Sequence, residues 1–358
     1  MVAGTLEEQM LPRLPQLADR LARGEAPPPP GAQDMLEAEG TALGYPTGRV
    51  LICHLRNALW SPATGLVLAR DDPRIPYAPL REVARPDAAV AALRATGPQR
   101  VACGAIWMSG GSRRNYGHFL MDSLTGLAAL TDLGLSGPAG RYPAYAARLT
   151  PWQADLVEAA GLSGSVALAP SKALLFDELV YVTTLDHYLQ RNAGLLDSLL
   201  KRIQPQRPVL LEAQETIYLS RRSYSGRVLI EEVAVEAALA ARGVRILRPE
   251  RLTPRQQIAA MAGCRRLIGA SGAGLANLCF LPEGAEVIEL RPDPVRESWL
   301  DLAAHQRGIR HRVLPLRAPL PQTEIPLALR LRQLPRRLSG RYHYACSVDL
   351  PALLSALN

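Results

Sequence analysis

The stretch Leu267-Ile-Gly-Ala-Ser-Gly-Ala-Gly-Leu-Ala-Asn-Leu-Cys-Phe-Leu-Pro-Glu-Gly-Ala-Glu-Val-Ile-Glu-Leu290 decides the fold class. Two short apolar runs of strand length enclose a Gly-rich turn, a short helical segment and a Pro-Glu-Gly turn, which is the grammar of a β-α-β unit. Gly269, Gly272 and Gly274 crowd the first turn, where a backbone needs positive φ or the close approach of a ligand. A helix that starts directly after such a turn presents unpaired N–H groups and a positive dipole end to an anion. In an open α/β sheet that turn lies at the C-terminal edge, where ligands bind. The spacing G-x-x-G-x-G is neither the dinucleotide fingerprint G-x-G-x-x-G nor a P-loop, which adds Lys-Ser/Thr.

Outward from this unit the second half alternates regularly. Strands are predicted at Ile217–Ser220, Val244–Leu247, Arg266–Ala270, Ala285–Leu290 and His311–Leu316, with helices at Glu231–Arg242, Thr253–Cys264 and Trp299–Arg307. Thr253 is the expected N-cap, with Pro254 at the first helical position. Such alternation predicts a doubly wound parallel sheet. In the first half, strands are expected at Val50–Leu55, Gly65–Ala69, Val101–Met108, Ser165–Ala169 and Glu178–Thr183. Helices are expected at Tyr116–Leu133, Pro151–Ala160 and Arg191–Arg202. An amphipathic helix is read over residues 1–24, a break at the Pro run 26–31, a linker at 204–208, and a tail with a strand at Tyr342–Val348 and a helix at Pro351–Leu357.

Composition bounds the partners. At 358 residues the chain exceeds what one core fills, so two domains are expected. Net charge is +8, and only Lys172 and Lys201 among the 41 basic residues are not Arg. Arg is the forked donor for phosphate and carboxylate, so the surplus suggests an anionic partner. Aromatics are only 5% and do not alternate with basic residues, which argues against nucleic acid. Cys53, Cys103, Cys264, Cys279 and Cys346 form no metal-ligand spacing, and Cys264 and Cys279 read as small buried hydrophobes in a reducing compartment. With neither a signal peptide nor an apolar run long enough to span a bilayer in this sequence, a cytoplasmic location is expected.

Three constellations carry chemistry. Asn115, His118 and Asp122 open the long helix of the first half; His118 and Asp122 share a face, and an imidazole beside a carboxylate is a general-base pair as well as an ordinary helix-start network. Tyr218-Leu-Ser-Arg-Arg-Ser-Tyr-Ser-Gly-Arg227 leaves a strand directly and carries Arg221, Arg222 and Arg227 towards the edge where the Gly-rich turn lies. Glu231 and Glu232 start the next helix, where acids favour the dipole and either could orient Arg227. Arg330, Arg332, Arg336, Arg337 and Arg341 read as a solvated basic face or as contacts to anionic headgroups.

Taken in order, these segments resemble glycosyltransferase family 61 over roughly residues 100–315. The residues that carry the resemblance are Asn115, His118 and Asp122; Ser220 and Arg221 with Arg227; Glu232; Gln257; and the run Ser271, Gly272, Ala273, Gly274, Asn277, Phe280, Pro282, Gly284 and Glu289. Ser271 stands where many members carry His. The resemblance implies an α/β fold of GT-B type, two Rossmann-like domains facing a cleft. Residues 48–205 would form the acceptor side and 206–325 the nucleotide-sugar side, between an N-terminal segment 1–47 and a tail 326–358 that packs back on the body. It implies an inverting transfer without an obligatory metal or other cofactor, from a UDP-sugar or another nucleotide sugar to a glycan or lipid-linked glycan of the bacterial cell envelope; the basic tail adds the expectation of peripheral contact at the inner face of the membrane. His118 or Asp122 would be the base. The donor set would be Asn115, Ser220, Arg221, Arg222, Arg227, Glu232, Ser271, Gly272, Ala273, Gly274, Asn277 and Glu289, with Asn277 anchoring the loop or touching the nucleotide and Glu289 meeting ribose hydroxyls. The rivals are a family member that binds nucleotide sugar without transferring it, and a NAD-dependent oxidoreductase, which the missing G-x-G-x-x-G disfavours.

Overall fold

The computed structural model describes residues 33–36, 41–42, 45–46, 50–63, 65, 67–69, 93, 95, 97–108, 115–170, 172–182, 193–205, 208, 210, 215–292, 298–338 and 344–357. The helix read over residues 1–24 and the Pro run 26–31 lie outside them. The chain divides into two compact units, Met1–Pro205 and Gln206–Asn358.

The first unit is built on one mixed sheet. Its strands are β1 (Gln33–Leu36), β4 (Val50–Trp60), β5 (Val67–Ala69), β6 (Gln99–Ile106), β7 (Ala144–Ala146), β8 (Val166–Leu168) and β9 (Leu174–Val182); β2 (Thr41–Ala42) and β3 (Tyr45–Pro46) form a separate small ladder. The order is β1-β4-β9-β6-β7-β8, with β5 on β4. Strands β9, β6, β7 and β8 are parallel, whereas β4 pairs antiparallel with β9, β1 and β5. The parallel part therefore carries an antiparallel flank that period and composition did not distinguish. From β6 the chain moves to β7 and β8 on one side, then returns to β9 on the other. This reversal opens a switch-point crevice at the C-terminal ends of β6 and β9. Buried Trp60, Trp107, Phe119 and Phe176 fill the core, with Trp107 and Phe119 edge-on at 5.9 Å and Tyr145 and Phe176 at 5.4 Å. Gly104 makes the second pair possible: a Cβ there would lie 2.5 Å from Phe176 and 2.8 Å from Tyr145.

The helix expected over Tyr116–Leu133 exists but is not uniform. A turn of α-helix, α1 (Tyr116–His118), widens into a π-helical stretch, Phe119–Leu124, before α2 (Thr125–Asp132). Thr125 Oγ1 donates to the Leu120 carbonyl at 3.2 Å inside the widened turn. Helices α3 (Pro151–Ala159) and α4 (Ala193–Ile203) complete the unit. Strand β7 has no counterpart in the sequence reading, because three residues without a β-branched side chain give no strand signal.

The second unit is the doubly wound parallel sheet that the alternation predicts. Strands β10 (Glu215–Leu219), β12 (Arg245–Leu247), β13 (Cys264–Ala270), β14 (Glu286–Pro292) and β15 (Arg310–Leu316) stand in the order β12-β10-β13-β14-β15, every pair parallel. Helices α5 (Glu232–Ala240), α6 (Pro254–Ala262) and α7 (Ser298–Gln306) connect them. Thr253 caps α6 as expected, and Gln256 reaches back to the Thr253 N–H at 2.9 Å, a reciprocal capping box. The strand order reverses between β10 and β13, so the loops after Leu219 and Ala270 flank the switch point. A further strand, β11 (Arg227–Leu229), pairs in parallel with β16 (Tyr344–Cys346) from the tail. Two features depart from expectation. The segment after the Gly-rich turn is a 3-10 helix, Ala273–Phe280, and the basic tail forms a helix, α8 (Leu327–Leu338), despite Pro335 within it. Helix α9 (Leu350–Ser355) follows. Cys264 and Cys279 are fully buried as expected, and burial pushes the Cys264 thiol up to about 12.

Candidate functional site

Two of the three candidate arginines converge on the Gly-rich loop. Arg221 follows β10 and donates from Nη1 to the Ser271 carbonyl. Arg227 opens β11, and a Cβ built on Gly272 would lie 2.9 Å from Arg221 Nη1 and 3.2 Å from Arg227 Nη2. Gly272 itself has φ +145° and ψ −178°, a region essentially restricted to glycine. The backbone conformation requires the glycine, and a side chain there would also have to displace the two guanidinium groups against it. The third arginine goes elsewhere. Arg222 Nη1 lies 3.3 Å from Glu236 Oε2, which Arg248 also engages at 2.9 Å, while Ser220 Oγ donates to Glu236 Oε1 at 2.6 Å. Ser220, Arg222, Glu236 and Arg248 thus brace the strand end from the α5 side. Glu236 and Arg248 carried no signal in the sequence, being one helical acid and one arginine among many.

Glu232 sits under the arginine pair. Its Oε1 accepts from the Arg221 N–H at 2.9 Å and the Tyr218 hydroxyl at 3.0 Å, and its buried Oε2 has no hydrogen-bond partner among the described residues. Burial raises its pKa, although the Arg221 N–H and the Tyr218 hydroxyl oppose that shift. Arg221, Arg227, Glu232, Ser271 and Cys346 line one small cavity at the switch point. Glu231, by contrast, accepts from the Ser347 hydroxyl and the Val348 N–H and so fastens the tail.

Behind the loop lies a buried charge network. Ser271 Oγ donates to Glu289 Oε1, and Glu289, fully buried, also meets Arg291 at 2.6 Å and His311 Nε2 at 2.9 Å. His311 Nδ1 and Arg291 both reach Asp301 Oδ1, at 2.8 and 2.9 Å. Burial drives the His311 pKa down, but the hydrogen bonds to Asp301 and Glu289 outweigh it and hold the imidazole at about 9. Burial likewise opposes the charge of Glu289 and Asp301, yet their His311 and Arg291 partners keep both below the ordinary carboxylate range. Glu289, Asp301 and His311 bring three potential metal-ligand atoms within 4.8 Å of one another. With Arg291 on both carboxylates and a protonated His311 between them, the negative charge there is already countered by two cations. The arrangement is that of a salt-bridged scaffold for the loop.

Asn277 is fully buried one turn into the 3-10 helix, donating to the Gln257 amide oxygen at 2.9 Å and the Gly274 carbonyl at 3.0 Å. Gln257 in turn donates to the Pro249 carbonyl at 3.0 Å. Both bonds tie Asn277 to the loop and to the helix α6 beside it. Ala273 and Gly274 begin the 3-10 helix at the same edge.

The basic tail is not simply a solvated face. From α8, Arg332 donates to the carbonyls of Arg222 and Tyr224, at 2.5 and 2.8 Å, and Arg336 donates to Ser225 Oγ at 3.0 Å. The Tyr224 ring lies between Arg221 and Arg336, whose guanidinium carbons are 4.5 and 4.9 Å from its centroid. The loop that carries the arginines is thus clamped from the tail.

In the first unit, Asn115 Oδ1 accepts the His118 N–H at 3.2 Å and caps the helix, the ordinary helix-start arrangement. His118 Nδ1 lies 2.7 Å from Asp122 Oδ2, with Asp122 only 3% exposed and His118 the more accessible partner. Asp122 lies within the π-helical stretch and His118 directly precedes it, a local geometry that recurs at functional sites. They stand on the helix that follows β6, next to that unit's switch point.

Residues 116–288 match the family model described as Glycosyltransferase 61, and this bears out the resemblance. No curated protein matches the chain.

Proposed function

We propose that this chain, a member of glycosyltransferase family 61 by its match over residues 116–288 and hence a glycosyltransferase, is an inverting, metal-independent enzyme of GT-B type. Its donor is a nucleotide sugar, with UDP the expected carrier, and its acceptor a glycan or lipid-linked glycan of the cell envelope. The observation that carries the donor side is the convergence of Arg221 and Arg227 on Gly272 at the switch point of an all-parallel sheet. In this reading the diphosphate lies against those guanidinium groups and the N–H groups of Gly272, Ala273 and Gly274. They stabilise the charge that develops as the bond from the anomeric carbon to the diphosphate breaks. Two fixed cations do there what a divalent metal does in other diphosphate sites. Glu289, Ser271 and Asn277 hold the loop in shape, and Ser220, Arg222 and Glu232 hold the strand end.

His118 is the proposed base. Asp122, bonded to Nδ1, fixes the tautomer that leaves Nε2 as the basic nitrogen, and being buried it positions the imidazole. The acceptor oxygen bonds to the anomeric carbon from the face opposite the diphosphate, and the acceptor proton passes to His118.

The test is a thermal-shift panel of UDP-, CDP- and GDP-sugars, with NAD as control, on wild type and Arg221→Ala, read beside donor turnover with EDTA present. At ~100 times Kd a ligand stabilises the fold by about 2.7 kcal/mol. A nucleotide-selective shift that Arg221→Ala loses, with turnover indifferent to EDTA, is the expected result. A shift with NAD alone, or turnover that EDTA abolishes, overturns the reading. For the base, His118→Ala and Asp122→Asn are expected to lower turnover by ~10²–10⁴-fold with donor binding unchanged, and two variants within twofold of wild type would remove that assignment.

A further inference from the structure

We propose that helix α8 is a membrane-surface element whose outward leucines insert into an anionic lipid leaflet. The side of α8 that faces the protein is occupied. Leu329 packs on the cluster of Leu320, Ile325 and Ala345, Gln333 donates to the Tyr344 carbonyl at 2.8 Å, and Arg332 and Arg336 hold the 222–225 loop. The opposite side carries Leu327, Leu331, Leu334 and Leu338, which are 63, 58, 41 and 79% exposed. Their spacing of four, three and four residues places them within roughly 60° on a helix, one continuous stripe. A stripe of four exposed leucines on one short helix is far from the scattered single apolar residues that any surface shows.

Charge identifies the occupant. No acidic residue occurs from Leu327 to Leu338, and exposed Arg330 and Arg337 border the stripe. A leucine face edged by arginines, on a chain of net charge +8, matches a surface that is apolar beneath and negative on top, which is an anionic leaflet. The helix has 12 residues, about 18 Å, too short to cross a hydrocarbon core of ~30 Å, so it would lie in the plane of the interface. A second copy of the chain fits the stripe less well. Three turns fall short of the ~3–4 heptads of a helix pair, Pro335 removes a backbone donor within them, and a symmetric pair would bring arginine edges together. The inference stands apart from the transferase reading, since it concerns lipid binding and not turnover.

The experiment is flotation of the full-length protein with vesicles of phosphatidylcholine alone and of phosphatidylcholine mixed with phosphatidylglycerol. Wild type is compared with Leu331→Gln/Leu338→Gln and with Arg330→Gln/Arg337→Gln, and light scattering records the oligomeric state of each. These four side chains are exposed, so all three proteins should melt at the same temperature. Wild type is expected to float with the mixed vesicles and not with the neutral ones. Either double substitution is expected to lower partitioning by about tenfold or more, and the arginine pair should also flatten its salt dependence. Failure of wild type to bind the mixed vesicles, or undiminished binding by the leucine variant, overturns the proposal. Dissociation of a dimer by the leucine variant, without vesicle binding by wild type, would assign the stripe to self-association and overturn it as well.

Discussion

Raising the pH from 6.5 past 9 should remove about 3 kcal/mol of stability from the second unit through one side chain. His311 lies between two carboxylates, Nε2 2.9 Å from Glu289 and Nδ1 2.8 Å from Asp301. Only the imidazolium donates from both nitrogens, so the network selects the charged form. Its pKa rises from 6.5 to about 9 on folding, against the pull of burial. A group held higher in the folded state contributes in full below its unfolded pKa, and the contribution fades as pH climbs through the folded value. At 1.36 kcal/mol per pH unit, the interval from 6.5 to about 9 corresponds to about 3 kcal/mol. His311→Gln removes the titration while keeping one amide donor. Urea unfolding of both proteins at pH 6 and pH 10 isolates the effect, because other titrating groups are common to both. The advantage of wild type over His311→Gln should shrink by about 3 kcal/mol at the higher pH. An advantage equal at the two pH values would mean that His311 is not held as a cation, and the scaffold argument for the Gly-rich loop would fail with it.

Two further substitutions probe the loop. Gly272→Ala forces a side chain into φ +145° and towards Arg221 Nη1, at 2.9 Å; a strained backbone of this kind costs about 1–3 kcal/mol, and nucleotide-sugar affinity should fall by more than stability does. Calorimetric titration beside thermal melting checks it, and unchanged affinity would separate the loop from the donor. Asn277→Ala leaves the Gln257 amide oxygen without its buried donor, so urea unfolding should show a loss of about 1–3 kcal/mol; a loss below ~0.5 kcal/mol would mean the anchor carries no load.

The second unit was legible because its strands are buried apolar runs separated by capped helices, as the capping box of Thr253 and Gln256 illustrates. The arginines after β10 and the glycines after β13 could be placed at one edge from strand direction alone. What the pattern could not supply was pairing across long separations. Arg222 and Arg227 are equivalent as letters, yet one turns to Glu236 and the other to Gly272. Glu231 and Glu232 are neighbours on a helix start, yet one holds the tail and the other lies beneath Arg221. Helix α8 escaped notice because Pro335 and a run of arginines look like a breaker in a solvated segment, and its helicity rests on the tertiary contacts of Leu329, Arg332, Gln333 and Arg336. His311 and Asp301 gave no local motif at all: the register sets His311 beside Val287, and only a diagonal reach across the parallel pair β14–β15 brings its ring to Glu289.

The clamp on the 222–225 loop also sets an order of events in the life of the chain. Arg332 grips a carbonyl 110 positions upstream, and Ser347 meets Glu231 across 116. On the ribosome, the strand ending at Leu219 and its arginines emerge and can pair with their sheet neighbours long before residues 332–347 exist. Contacts at such separation form late, after the entropy of closing the intervening chain has been overcome. A nascent chain stalled before residue 327 would therefore display the Gly-rich turn and the arginines without the grip that fixes them, and donor affinity should be acquired only once residues 332–347 have been made.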